Sequence, residues 1–173
     1  MKLKYISTMI LAFVFFAVAT NNSFAAKSSY SQSITANPLG LAFGLLNATY
    51  EQQLSPNNSF TVSGYYFSIT DWNAYGIGGS YRWYIDLFKT RQKPIEGFSV
   101  GPKAGFSFWG WDGITGIYDD GMTITIGGEA LYKWVWDGFA LEVGINLDFP
   151  VIKPKGLSGL TPFGLVAAVG YAW

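Results

Sequence analysis

The last eleven residues, Phe163 to Trp173 (FGLVAAVGYAW), constrain the fold more than any other stretch. Read in steps of two, one row holds Phe163, Leu165, Ala167, Val169, Tyr171 and Trp173, and the other holds Gly164, Val166, Ala168, Gly170 and Ala172. Side chains alternate across a strand, so this is a strand with one bulky apolar face and one face of small residues. A soluble domain gains little from an exposed apolar row that closes on an aromatic ring. Against lipid the same row is favourable, because each outward side chain leaves water and the last ring sits at the membrane interface. The competing explanation is a buried edge strand of a soluble barrel.

The row resembles the C-terminal assembly strand of bacterial outer-membrane β-barrels, in its alternation and in its final aromatic pair, Tyr171 and Trp173. Strands of that kind also carry a polar residue and a Gly further upstream, where this chain has Val166 and Ala168. The resemblance implies two partners: outer-membrane lipid around the strands, and the barrel-assembly machinery, engaged through this last strand.

Composition narrows the function classes. With 173 residues, one folded domain is the natural count. Eleven basic and eleven acidic residues cancel, and only 13% of the chain is charged, which argues against a nucleic-acid partner. Aromatics at 18% and 21 glycines suit a barrel with an apolar outer band. The chain has no Cys, so disulfides and thiolate metal sites are excluded. It also has no His, which removes the commonest general base and the commonest metal ligand. Outer-membrane deacylases, palmitoyl transferases, phospholipases and omptin proteases rely on a catalytic His, so their usual mechanisms are closed to it. A non-enzymatic protein without a cofactor is the expectation.

Residues 1–25 read as a secretory signal. Lys2 and Lys4 make the basic start, Met9 to Ala19 the apolar core, and Ser23-Phe24-Ala25 the small-residue cleavage site. Eleven apolar residues cannot cross about 30 Å of hydrocarbon as a helix. No Cys follows the cleavage site, which excludes a lipoprotein, and no later stretch approaches the roughly 20 apolar residues of a spanning helix.

Residues 26–173 then divide into eight strand-like segments: about 31–43, 46–54, 59–69, 74–85, 98–108, 122–136, 139–149 and 163–173. Pro38 and Gly40 interrupt the first, suggesting a bulge or bend there. Ser55-Pro56-Asn57-Asn58 and Asp137-Gly138 read as tight turns, while 86–97 and 109–121 read as longer connections. Segments of this length, even in number, predict an all-β, eight-stranded antiparallel up-and-down transmembrane barrel in the cell outer membrane. With the C-terminus in the periplasm, connections near 44–45, 70–73, 110–121 and 150–162 face outward. The 86–97 connection is long for a periplasmic turn.

A second resemblance lies in Arg82-Trp83-Tyr84-Ile85, a basic linker with Pro94, and Gly97-Phe98-Ser99-Val100-Gly101-Pro102. This looks like a family of small outer-membrane barrels of unknown function, of the OmpA-like eight-stranded type. It covers residues 74 to 108 and implies architecture, not activity.

Alternation places seven charged residues on inward faces: Glu51, Arg82, Lys103, Glu129, Lys133, Glu142 and Asp148. An eight-stranded barrel is just wide enough for its own side chains, so these charges must pair, forming a polar plug. A selectivity lining for a narrow channel for ions or small solutes is the alternative. Catalysis by two carboxylates such as Glu129 and Glu142 is the third reading. The Gly76-Ile77-Gly78-Gly79 run lies inside a strand, where glycines give room for inner side chains from opposite walls. Outward-facing Trp83, Tyr132, Trp134, Trp136, Tyr171 and Trp173, near strand ends, form an expected interfacial belt. Trp109, Trp111, Asp112, Tyr118, Asp119 and Asp120 give one outer loop aromatic and acidic groups for a possible extracellular ligand.

Overall fold

Period-two alternation with short turns produces one continuous sheet that curls onto itself. A computed structural model of the chain describes residues 30–69, 72–86, 95–111, 121–153 and 162–173. The expected signal segment, residues 1–25, lies outside the described residues.

The strands are β1 (Gln32–Ala36), β2 (Leu45–Ser55), β3 (Asn58–Ile69), β4 (Trp72–Ile85), β5 (Gly97–Trp111), β6 (Gly121–Trp136), β7 (Phe139–Ile152) and β8 (Phe163–Ala172). Each pairs antiparallel with the next, and β1 pairs with β8, giving a closed, eight-stranded, up-and-down barrel. Closure is tight at the termini. The Ser31 and Gln32 amides both donate to the Trp173 carbonyl (2.9 and 3.0 Å), and the Trp173 amide donates to the Gln32 carbonyl (2.9 Å). A closed sheet has no unpaired edge where these strands meet, which removes the usual liability of an end strand.

The first segment departs from a single strand over 31–43. β1 stops at Ala36, and Pro38–Ala42 form a short helix, α1. Pro38 sits in the first turn, where its missing N–H is harmless. The Asn37 side chain caps the helix by accepting from the Gly40 amide (3.1 Å). Asn37 is itself held, its amide donating to Asn47 Oδ1 (2.8 Å). Several strands also run further than alternation suggested. β4 begins at Trp72, β5 carries on through Trp109 to Trp111, and β7 reaches Ile152. Trp109 and Trp111 therefore belong to a wall strand and not to a loop, while Asp112, Tyr118, Asp119 and Asp120 lie outside the described residues.

Two-residue turns close the end of the barrel that holds the termini of the described barrel, Tyr30 and Trp173. Asp137 and Gly138 both have positive φ (50° and 87°), the backbone a primed hairpin turn needs. At the same end the 86–97 connection does more than join strands, although its residues 87–94 lie outside the described set. Ile95, also at positive φ (50°), is 1% exposed and packs with Tyr84, Val135, Ala140, Ala172 and Tyr30. The connection thus places an apolar side chain against the barrel base.

The wall is inverted relative to a soluble barrel. All seven charged residues within the eight strands lie in the inward alternation, and none lies in the outward one. The outward rows expose large apolar side chains around the circumference: Ile34 and Val62, Ile77, Phe108, Ile126, Phe149 and Leu165 are each 42% exposed or more.

Candidate functional site

The residues that could carry function converge inside the barrel, in two stacked regions. The first lies just above the apolar base and is built around Arg82 of β4. Its Nε donates to Glu129 Oε1 of β6 (2.6 Å), Nη1 to Glu51 Oε2 of β2 (2.9 Å) and Glu142 Oε2 of β7 (2.9 Å), and Nη2 to Glu142 Oε1 (3.3 Å). One planar guanidinium therefore spans three carboxylates from three strands, a geometry its fixed fork of donors allows and a lysine would not. Lys133 of β6 supplies the second cation, bonding Glu51 and Glu142 (3.1 Å to the latter) and the Ser33 hydroxyl (3.0 Å). The Lys133–Glu51 pair joins β6 to β2, on opposite sides of an eight-strand ring.

Two cations face three carboxylates, so the surplus of acceptors falls to neutral donors. Ser59 and Tyr84 hydroxyls both donate to Glu51 Oε1, the latter at 2.6 Å, and Ser80 donates to Glu129 Oε1 at 2.6 Å. Arg82, Lys133, Glu51 and Glu142 are each 3% exposed or less. At that depth a charge without partners costs several kcal/mol, and a set of this completeness is what makes burial tolerable. Sequence alternation found the five charged members. It missed Tyr84, Ser59 and Ser80 as donors to their carboxylates and Ser33 as an acceptor from Lys133. Tyr84 was within reach, being two residues from Arg82 on the same strand face.

The second region lies further from the termini. Lys103 of β5 bonds Asp148 Oδ2 of β7 at 3.0 Å, across a row in which the intervening β6 residue is Gly127. Asn146 Nδ2 also donates to Asp148 Oδ2 (2.9 Å). The remaining two of the seven inward charges are therefore paired with each other, apart from the Arg82 set. They are about a quarter exposed, against near-complete burial below. Tyr65 of β3 lies across Gly76 of β4 to hydrogen-bond Ser107 of β5, which also accepts from Trp109 Nε1 (3.2 Å).

Several glycines leave room for inward side chains of a neighbouring strand. A Cβ on Gly76 would sit 2.7 Å from the Tyr65 ring, one on Gly78 would sit 3.1 Å from Ser63 Oγ, and one on Gly164 would collide with the Asn146 amide. The side chains they make room for come from adjacent strands, not from the opposite wall. The lumen is narrow enough that neighbours fill it first.

On the outside, the aromatic residues singled out from sequence gather towards the end that holds the termini. Tyr132, Trp134, Trp136 and Phe139 form a continuous run of ring contacts, tilted at the first pair and stacked at the next two, with centroid separations of 4.4, 6.3 and 6.2 Å. Tyr171 stacks on Trp173 (6.3 Å), and Trp83 meets Tyr81 edge-on (5.0 Å).

Comparison with protein-family models, with curated proteins and with solved structures returned no match in any of the three. The small-barrel resemblance over residues 74 to 108 is thus supported at the level of architecture, an eight-stranded antiparallel barrel, and no further.

Proposed function

We propose that the chain is a bacterial outer-membrane β-barrel of the OmpA-like type, exported through a cleaved signal at residues 1–25. Its role is non-enzymatic, structural or surface-interacting, with a lumen plugged by its own side chains. The observation that carries the membrane reading is the sorting of charge: every charged residue within the strands faces inward, while the outer wall is apolar all round. A wall like that in water would expose an apolar area far beyond what soluble monomers carry. In hydrocarbon it is the favourable arrangement, and a closed barrel leaves no backbone edge to be satisfied by lipid. The stacked belt from Tyr132 to Phe139, with Trp83, Tyr171 and Trp173, fits the interfacial level.

The plugged reading is supported by the Arg82 and Lys133 contacts, which cross the lumen at one level. Conductance in a planar lipid bilayer tests it. The full-length gene is expressed in a Gram-negative host and the product extracted from the membrane fraction. Insertion with no steady current is the expected result. Ionic steps that change on Arg82→Gln or Lys103→Gln would replace the plug with a narrow channel. Recovery of the protein in the soluble fraction without detergent would overturn the membrane reading itself.

A further inference from the structure

The sheet closes on itself through β1 and β8, but one stretch of that ladder is missing. β1 has five residues against ten in β8, and its last pair is Ala36 with Val169. The residue that would come next, opposite Ala167, is Pro38, which has no N–H to donate, and the chain turns there into α1. Alternate residues of a strand turn their backbone groups to opposite edges. On the β7 side the Ala172 amide donates to the Gly138 carbonyl and the Asp148 amide to the Pro162 carbonyl (both 2.7 Å), while Trp173 bonds β1. Phe163, Leu165 and Ala167 therefore turn their N–H and C=O groups towards the missing part of β1. Among the described residues no hydrogen bond reaches those groups. α1 comes near β8 but packs on β2, where the atoms nearest a Cβ on Gly40 all belong to Leu45. Leu165 is the most exposed large apolar side chain of the described residues, at 77%, and Phe163 is at 51%.

The hydrogen-bonding pattern of this edge selects its occupant. Donors and acceptors alternate along it at strand spacing, and an edge of that kind is a template for another strand. Acyl chains cannot satisfy backbone groups, so lipid does not complete it. Symmetric pairing of two copies through β8, about an axis normal to the wall or along the tilted strand, inverts or topples one barrel in the membrane. We propose that Phe163 to Ala167 is a docking edge for an extended segment of a partner protein. The segment adds antiparallel to β8 in line with β1, and its apolar side chains, at every second residue, turn outward beside Phe163 and Leu165. The open edge belongs to the sheet itself; only the exclusion of a second copy rests on the membrane reading above.

A proline scan with a peptide titration tests it, on protein from the full-length gene held in detergent. Leu165→Pro removes an N–H on the open edge, so the variant is expected to keep the folded band on unheated gels. Val166→Pro removes one that faces Gly144 of β7 and is expected to lose that band. The probe is a fluorescein-labelled, capped peptide copying Leu141–Phe149, the stretch that pairs antiparallel with Phe163, Leu165 and Ala167 on their other side. Anisotropy is expected to show saturable binding to wild type, weakened about tenfold or more by Leu165→Pro. Methylating the peptide amides that copy residues 143, 145 and 147, which face β8 in this arrangement, is expected to abolish binding, and methylating 142, 144 and 146 to spare it. Loss of the folded band in Leu165→Pro overturns the proposal, because the edge is then already paired. So does absence of saturable binding, or equal affinity in folded Leu165→Pro. A wild-type dimer that Leu165→Pro dissolves would give the edge to a second copy and overturn the partner-protein assignment. Solubility without detergent overturns the membrane reading alone, and the same titration then runs in buffer.

Discussion

The two halves of the lumen solve the same problem differently. Near the termini, five charged side chains and their hydroxyl donors close on one another until little hydrogen-bonding capacity remains, with Ile95 and Tyr84 packed beneath them. Beyond them a single ion pair sits over Gly127, aromatic rings replace carboxylates, and three buried acceptors lack partners among the described residues. Among the described residues, one half is finished by the chain's own side chains; the other is polar but incomplete. Bracing by ion pairs is thus concentrated at one end of the barrel axis, where burial is nearly complete.

The difference is broken most severely at Arg82. Arg82→Met leaves Glu51, Glu129 and Glu142 facing one another at a depth where solvent cannot help. Removing one member of a buried set costs about 3–5 kcal/mol. We expect the urea midpoint of the detergent-held barrel to fall by that amount at unchanged slope, or no folded band on unheated gels. A midpoint within error of wild type would mean that the network braces nothing.

Next in size is the base. Ile95→Ala should cost about 2–5 kcal/mol, as for other buried Ile truncations. The positive φ sharpens the test, because at 50° a β-branched residue is strained and glycine is not. Ile95→Gly is therefore expected to be no worse than Ile95→Ala, reversing the ordinary order. If glycine is clearly the worse of the two in denaturant titrations, the connection does not hold residue 95 in that conformation.

In the incomplete half the glycines carry the argument. Gly76→Ala places a methyl 2.6 Å from the Phe106 carbonyl and 2.7 Å from the Tyr65 ring. Overpacking of this kind costs about 1–3 kcal/mol. Truncating the ring as well should recover part of it, so Gly76→Ala with Tyr65→Ala is expected to cost less than the sum of the single changes. Strict additivity would show that the ring does not lie over residue 76.

How much of this was legible in the residues depends on range. Alternation alone gave eight strands, their faces, the Asp137-Gly138 turn and all seven inward charges, because period-two patterning is local. It failed at Pro38–Ala42, where Asn37 capping and Pro38 favour a turn of helix over a bent strand. It also stopped strands early at Phe108 and Phe149, since Trp109-Gly110 after the first and Pro150 after the second read equally well as loop. Which charges meet was out of reach. That Arg82 collects Glu51, Glu129 and Glu142 while Lys103 takes Asp148 depends on the stagger of eight strands around the ring, which no single strand encodes. Ile95 was hidden for a different reason: an isolated apolar residue in a polar linker carries no period.

The smallest effect gives the cleanest contrast, because it repeats one chemistry at two depths. Lys133 and Lys103 both face inward and both bond a carboxylate on β7. Lys133→Met removes a cation that is 1% exposed and strands Glu51 and Glu142, so it belongs with Arg82→Met in size. Lys103→Met removes one whose side chain is 24% exposed and leaves Asp148 at 30%, where water still reaches the carboxylate. Partly solvated pairs are worth about 0–1 kcal/mol and weaken with salt. The Lys103 variant should accordingly unfold within about 1 kcal/mol of wild type, and 1 M salt should narrow that gap while leaving the Lys133 gap nearly unchanged. Equal losses in the two variants would mean that both halves of the lumen exclude water alike, and the distinction between a finished half and an incomplete one would fail.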